Sequence, residues 1–292
     1  MSDAVTGDAR GGNAAQADFW EERAPSWLEA EQHTEMVSGH LGAVALDALA
    51  PRPGERVLDI GCGSGPTTID LARRVDPDGS VLGVDISATM IEAARKRAEA
   101  AGVRNVDFRR ADAQVDDLGD AVFDAAFSRF GVVFFADPPV AFANVLRALR
   151  PGGRLAFVCW QELTSNEWMF IPGAAAVSVT GVIPPMPAPG EPGPFSLADE
   201  GAARSILELA GFVDVTVEPV DDMVVLPADQ IDSLVRLAIS VGPVRMALQG
   251  TDDEATGGRI VEAVRKAIED RIEDGEVRLG ASTWVVTARR PG

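Results

Sequence analysis

Val57-Leu58-Asp59-Ile60-Gly61-Cys62-Gly63-Ser64-Gly65-Pro66-Thr67-Thr68 is the stretch that decides the fold. Val57, Leu58 and Ile60 suit a buried central strand. The alternating glycines permit positive φ and let backbone approach a ligand closely. Pro66 suits the first turn of a helix, where its missing N–H costs little. Strand, glycine turn and helix start together place a ligand in the usual crevice of an open α/β sheet. A dinucleotide fingerprint reads G-x-G-x-x-G, but Pro66 stands where the third glycine belongs. Asp59, two residues before the first glycine, would repel a pyrophosphate and suits a ligand with an ammonium group. No Gly-Lys-Ser/Thr follows, which excludes a P-loop. A glycine-rich βα turn that binds nothing is the plain alternative at this point.

Working outward, the same unit repeats. Ser80 to Val84 reads as a second strand ending in Asp85, and Ser87 caps the helix that carries Met90, Ile91, Ala94 and Ala98. Asn105 to Arg109 is a third strand, followed by Asp112-Ala113. Phe123 to Phe127 is a fourth, running into the apolar Ser128 to Phe135. Asp137 starts a helix through Leu149, and Arg154 to Trp160 is the fifth strand. This βαβα alternation predicts a mostly parallel, doubly wound sheet.

Before the core, Ala17 to Ala50 is helical in character and can fold back over the glycine turn as a lid. Residues 1–16 read as a disordered tail of small and polar residues. After Trp160 the pattern breaks. Residues 161–198, with Trp168, Met169 and a proline run through Pro189 and Pro194, read as a docked cap. Phe212 to Val220 is a further strand, residues 227–275 a second helical insertion, and Ser282 to Ala288 the last strand. One domain of residues 17–292 results, with lid 17–50 and core 51–160.

The formal net charge is −19, from 26 basic and 45 acidic residues, which argues against nucleic acid and against an anionic membrane surface. No apolar run reaches the ~18 residues that span a bilayer, and the N-terminus lacks a signal-peptide pattern. Two distant cysteines, Cys62 and Cys159, and two histidines oppose a disulfide framework or a metal site. The expected setting is cytoplasmic, the expected partner a small-molecule substrate, and the expected state a monomer or homodimer.

Asp59, Asp85 and Asp112 fall at the carboxyl ends of three successive strands. Three acids make a poor phosphate site. They suit an amino-acid ammonium, a ribose diol and an adenine amino group, which together describe S-adenosylmethionine.

Val57 to Gly65, Val84 to Ser87, Asp112-Ala113 and Leu149 to Gly153 resemble the successive motifs of class I S-adenosylmethionine-dependent methyltransferases. Ser128 to Phe135, Asn166-x-Trp168-Met169 and Pro192 to Phe195 further resemble a group of bacterial small-molecule methyltransferases. The resemblance implies a Rossmann-like seven-stranded sheet of order 3-2-1-4-5-7-6, with an N-terminal helical lid and helical cap insertions. It implies that Gly61, Cys62 and Gly63 offer backbone to the methionine end, with Asp59 as its carboxylate partner. Asp85 would bind ribose, Ile86 and Met90 would pack on adenine, and Asp112 and Ala113 would meet its amino edge. Ser128 and Phe130 would line the pocket floor, and Trp20 and Trp27 match lid tryptophans. Glu167 and the Gln32-His33-Thr34-Glu35 segment depart from the group's pattern.

For the substrate, Phe134, Trp160, Trp168 and Met169 suggest an apolar or aromatic small molecule. His33 is the favoured general base, with His40, Glu35 and Glu167 as alternatives. A protein of this fold that binds the cofactor without transferring a methyl, and a nicotinamide oxidoreductase, are the competing readings. Asp59 and Pro66 disfavour the second of these.

Overall fold

The computed structural model describes residues 9–185, 187, 190–251 and 253–292. Residues 1–8 of the expected tail, and Pro189 of the proline run, lie outside the described residues. The rest of that tail, residues 9–16, is a correction: the first helix, α1, spans Ala9–Leu49 and is 41 residues long. Ala14, Ala15 and Gln16 are good helix formers, and the buried Asn13 ties the first turns to the core through Asp112.

The glycine turn sits where the sequence places it. Strand β1 (Arg56–Ile60) leads through it into α2 (Pro66–Val75). Next come β2 (Ser80–Asp85), α3 (Ala88–Ala100), β3 (Val106–Arg110) and β4 (Phe123–Arg129). Then α4 (Pro138–Ala148) and β5 (Leu149–Trp160) complete the parallel part. Strand β6 (Val213–Pro227) and strand β8 (Glu276–Arg289) close the sheet, with β8 antiparallel to β5 and to β6. The order is β3-β2-β1-β4-β5-β8-β6, and the two-residue β7 (Ile272–Glu273) pairs only with β8. Counting the seven long strands, this is the expected 3-2-1-4-5-7-6; β7 is the addition.

Successive residues of a strand face opposite sides of a sheet. Accordingly Val57 belongs to one apolar cluster, with Leu41, Leu49, Leu71 and Phe127, whereas Leu58 and Ile60 belong to another, with Phe142, Leu155 and Phe157. Both faces are covered, as a parallel sheet requires. The cluster under α1 runs on into the helices beyond β5: α5 (Glu167–Thr180), α7 (Ile231–Ser240), α8 (Gly242–Gln249) and α9 (Glu254–Glu269). Helix α6 (Glu200–Leu209) packs on the other face, through Ala203 and Leu207.

Strand β6 is longer than expected. The expected strand ends at Val220, yet Asp221 and Asp222 stay in register with Ser282 and Ala281. They lie on an edge strand, where exposed acids are tolerated and discourage further pairing. The distal half of the β6–β8 ribbon runs past β5, whose pairing with β8 ends at Trp160↔Thr283.

Candidate functional site

The carboxyl ends of β1 to β5, α1 and the cap enclose a cavity of about 550 Å³. Its floor is the glycine turn. Gly61 has φ +66°, and a Cβ there would lie 2.8 Å from Cα of Gly131. Gly63 has φ +53° and nothing within 4 Å of its Cβ direction, so its backbone faces open space.

Asp59 is buried at the end of β1 and lines the cavity. Thr68 Oγ1 donates to its Oδ2 at 2.6 Å. Burial raises its pKa to about 7, against the opposing effects of the Thr68 bond and the Arg129 charge, while Asp85 adds a smaller upward push. Its ionisation therefore wants a cation that the described residues do not place in contact with it.

Asp85 accepts the backbone N–H of Gly63 on Oδ2 and that of Ser87 on Oδ1, both at 2.9 Å. Burial raises its pKa above the usual carboxylate range. Each oxygen keeps a lone pair, so the carboxylate is fixed in place and can still accept two hydroxyls. Ser87 also accepts from Met90 N at 3.2 Å, capping α3. Removing that hydroxyl in Ser87→Ala should lower urea-unfolding stability by about 1 kcal/mol.

Ile86, Met90, Ala111, Asp112 and Ala113 line the cavity beyond Asp85. Asp112 is already engaged: Oδ1 accepts from Gln114 N at 2.9 Å, and Oδ2 accepts from Asn13. An adenine amino group would share this carboxylate with Asn13. Gln16 lines the same cavity, and its buried Oε1 has no donor among the described residues. Open backbone at Gly63, a fixed diol acceptor, a buried acid awaiting a cation and an orphaned amide oxygen are what an adenosyl amino acid requires.

A family described as a methyltransferase domain matches residues 57–153, which hold all of these features except the α1 contributions. Residues 57–153 thus match a methyltransferase domain, in keeping with the class I S-adenosylmethionine-dependent methyltransferases. Nocamycin O-methyltransferase of Saccharothrix syringae is 32% identical over 177 residues, 58% of this chain and 63% of that protein. Aklanonic acid methyltransferase of Streptomyces sp. (strain C5) is 39% identical over 117 residues, 40% of this chain and 53% of that protein. The chain thus spans between half and two thirds of these relatives. The YcgJ protein of Bacillus subtilis, at 17% identity, superposes with a TM-score of 0.55 over 87% of this chain and 99% of that one, a likeness of fold.

The remaining cavity wall is aromatic. Phe130 stacks on Trp160 at 4.4 Å between ring centroids, and Trp160 leans on Trp168 at 5.2 Å. From α1, Trp20 meets Phe134 at 4.7 Å and Trp27 at 5.7 Å, both edge-on. Met169 lines the wall beside Trp168 and packs on Gly242 of α8.

Two expected site residues are elsewhere. Ser128 is fully buried and does not line the cavity: its Oγ donates to Ile60 O at 2.8 Å and accepts from Gly131 and Val132 N. It pins the turn after β4, which seats Phe130 at φ +59°. His33 is also outside the cavity lining. The lining face of α1 passes through Trp27, Ala30, Thr34 and Val37, and His33 falls off that stripe. The alternative bases fare similarly. His40 is exposed and faces Asp222 at 3.5 Å, and Glu167 accepts from Gly280 N at 3.0 Å and from Arg271. Glu35 does line the cavity, but Arg129 holds it by two bonds of 2.8 and 2.9 Å.

Sequence reasoning missed how α1 is tied down. Glu21 accepts from Ser87 Oγ at 2.8 Å and from Thr89 Oγ1 at 2.6 Å, and its pKa is lowered chiefly by the Thr89 hydroxyl. Glu31 accepts from Ser64 and from Arg97. Asn13, Glu21, Glu31 and Glu35 mark one edge of the helix at helical spacing. That signal was present, but a run of acids in an acidic chain reads as a solvated face.

Proposed function

We propose that this chain is an S-adenosylmethionine-dependent methyltransferase acting on a small apolar or aromatic molecule. The observation that carries the reading is Asp85, fixed by Gly63 N and Ser87 N at the end of β2 with lone pairs left for a ribose diol. The family match and the relatives named above support it. S-adenosylmethionine supplies a methyl group on a sulfonium, open to in-line displacement.

The residues of the chain hold, align and dry the site. Asp59 faces the ammonium, Gly61, Cys62 and Gly63 the amino-acid end, and Asp85 the ribose. Ile86 and Met90 pack on adenine, and Asp112, Ala113 and Gln16 meet its polar edge. Trp20, Trp27 and Phe134 close over it from the lid side, where α1 excludes water. Phe130, Trp160, Trp168 and Met169 orient the acceptor; proximity and alignment of this kind account for much of the acceleration in such reactions. No side chain is assigned as a general base. Residues 17–50 act as lid, 51–160 as cofactor core, and 161–198 and 227–275 as substrate cap.

Calorimetry tests this directly. The protein should bind S-adenosylhomocysteine, and Asp85→Ala should weaken that binding by at least about 1.5 kcal/mol, the scale of a lost charge-assisted hydrogen bond. Unchanged affinity in the variant would remove the ribose assignment.

A further inference from the structure

At the cap end, the cavity changes character. Arg23 of α1 and Arg245 of α8 both line it, in a chain whose formal charge is −19. Neither has a carboxylate partner among the described residues. Arg245 spends one terminal nitrogen on the Ser240 carbonyl at 3.1 Å, and its buried Nε has no acceptor among the described residues. Arg23 lies over the Phe19 ring, 3.7 Å from its centroid. The two guanidiniums act on each other: Arg23 is held below its ordinary pKa first by burial and then by the charge of Arg245, against a smaller opposing effect of the Glu22 charge. The acids that reach this cavity from α1 are committed elsewhere, Glu31 to Ser64 and Arg97, Glu35 to Arg129. Trp168 of α5 is 8% exposed and lines the same cavity, and its buried Nε1–H has no acceptor among the described residues.

Like charges are not kept together in a half-buried site, nor buried donors left unmade, unless something answers them. What is missing is an acceptor with negative charge and more than one oxygen. A carboxylate fits: it has about four lone-pair sites, is matched in shape by guanidinium, and has none of the N–H groups that would oppose these donors. We propose that the substrate is an aromatic or apolar molecule carrying a carboxylate, bound by Arg245, Arg23 and the Trp168 indole. The proposal rests on the methyltransferase reading for the word substrate; the anion site itself stands on these three donors. Three elements distant in sequence build it, so it forms only when lid and cap are both in place.

The probe is a matched pair, 2-naphthoate and 2-naphthamide, titrated into the full chain by calorimetry with S-adenosylhomocysteine present. The acid should bind at least tenfold more tightly than the amide. Arg245→Gln should erase most of that preference by weakening the acid at least tenfold while leaving the amide and S-adenosylhomocysteine unchanged. Arg23→Gln should act in the same direction with a smaller effect. Trp168→Phe, which keeps the ring and loses only the N–H, should weaken the acid severalfold. Retained S-adenosylhomocysteine affinity shows that each variant is folded. Equal binding of acid and amide, no binding of the acid at millimolar concentration, or an undiminished preference in Arg245→Gln would each overturn the proposal. Failure of the methyltransferase reading is separate: it shows as loss of S-adenosylhomocysteine binding in the wild type, whatever the naphthoate does.

Discussion

Asp59→Asn should make the protein more stable at pH 8 and unable to hold its cofactor well. In the folded chain burial raises this carboxyl to about 7, against about 3.8 when unfolded. Between those values the folded state carries more proton than the unfolded one, so this group's contribution to stability falls as pH rises from about 4 to about 7 and is flat above. The difference amounts to about 4 kcal/mol at one pKa unit per 1.36 kcal/mol. Asparagine carries no charge to bury, and its amide oxygen can still accept from Thr68. Urea unfolding should therefore show the variant matching the wild type near pH 4 and exceeding it by an amount on the order of that difference at pH 8.

Ligand binding carries the converse sign. An ammonium beside Asp59 favours the carboxylate, so binding from below pH 7 must release a proton. Wild-type affinity for S-adenosylhomocysteine should drop about tenfold per pH unit below 7, while Asp59→Asn should bind weakly with no such slope. A flat wild-type profile between pH 5 and 7 would place the ammonium elsewhere.

Gly61→Ala and Gly63→Ala should separate folding from binding. Both glycines have positive φ, so each alanine carries a left-handed backbone cost of about 1–2 kcal/mol. At Gly61 the new methyl also meets Cα of Gly131 at 2.8 Å. That neighbour is main chain at the end of β4 and cannot rotate away, so overpacking adds about 1–3 kcal/mol more. Gly63 meets nothing within 4 Å, and its methyl would project into the space the ligand needs. Denaturant midpoints should show Gly61→Ala as the more destabilised variant. Calorimetry should show Gly63→Ala folded but at least tenfold weaker for S-adenosylhomocysteine. Equal stability of the two variants would mean that the turn yields where it meets Gly131.

The parallel half of the fold was legible because each unit carries local punctuation. Gly65-Pro66, Ser87 and Asp137 mark helix starts with short-range chemistry, and the structure uses Ser87 and Asp137 as caps. The acids at the strand ends were legible for the same reason, since a strand's end is a local property. His33 lies outside the cavity lining, and which face of α1 turns inward is a matter of packing between elements far apart in the chain. Ser128 is a different case: a polar residue at a strand end reads as available, and only the neighbouring Ile60 carbonyl and Gly131 amide show its hydroxyl engaged. Arg23 and Arg245 carry no local signal whatever, because an arginine on a helix is ordinary until its partners are known to be missing.

The β6–β8 ribbon has one more consequence. Residues 228–271, which carry α7 to α9 and therefore Arg245, leave the sheet after Pro227 and return to it through the short β7–β8 hairpin, and Pro227 is paired with Glu276. Entry and exit of the segment are thus neighbours on adjacent strands, clamped by the rungs below them. Such a segment is a cassette. A change in its length is taken up at one paired rung of the ribbon, but its helices share the apolar cluster under α1, so an exchanged segment would have to keep those contacts. Of the proposed acceptor site this segment carries Arg245, while Phe130, Trp160, Trp168 and Met169 come from the chain before it.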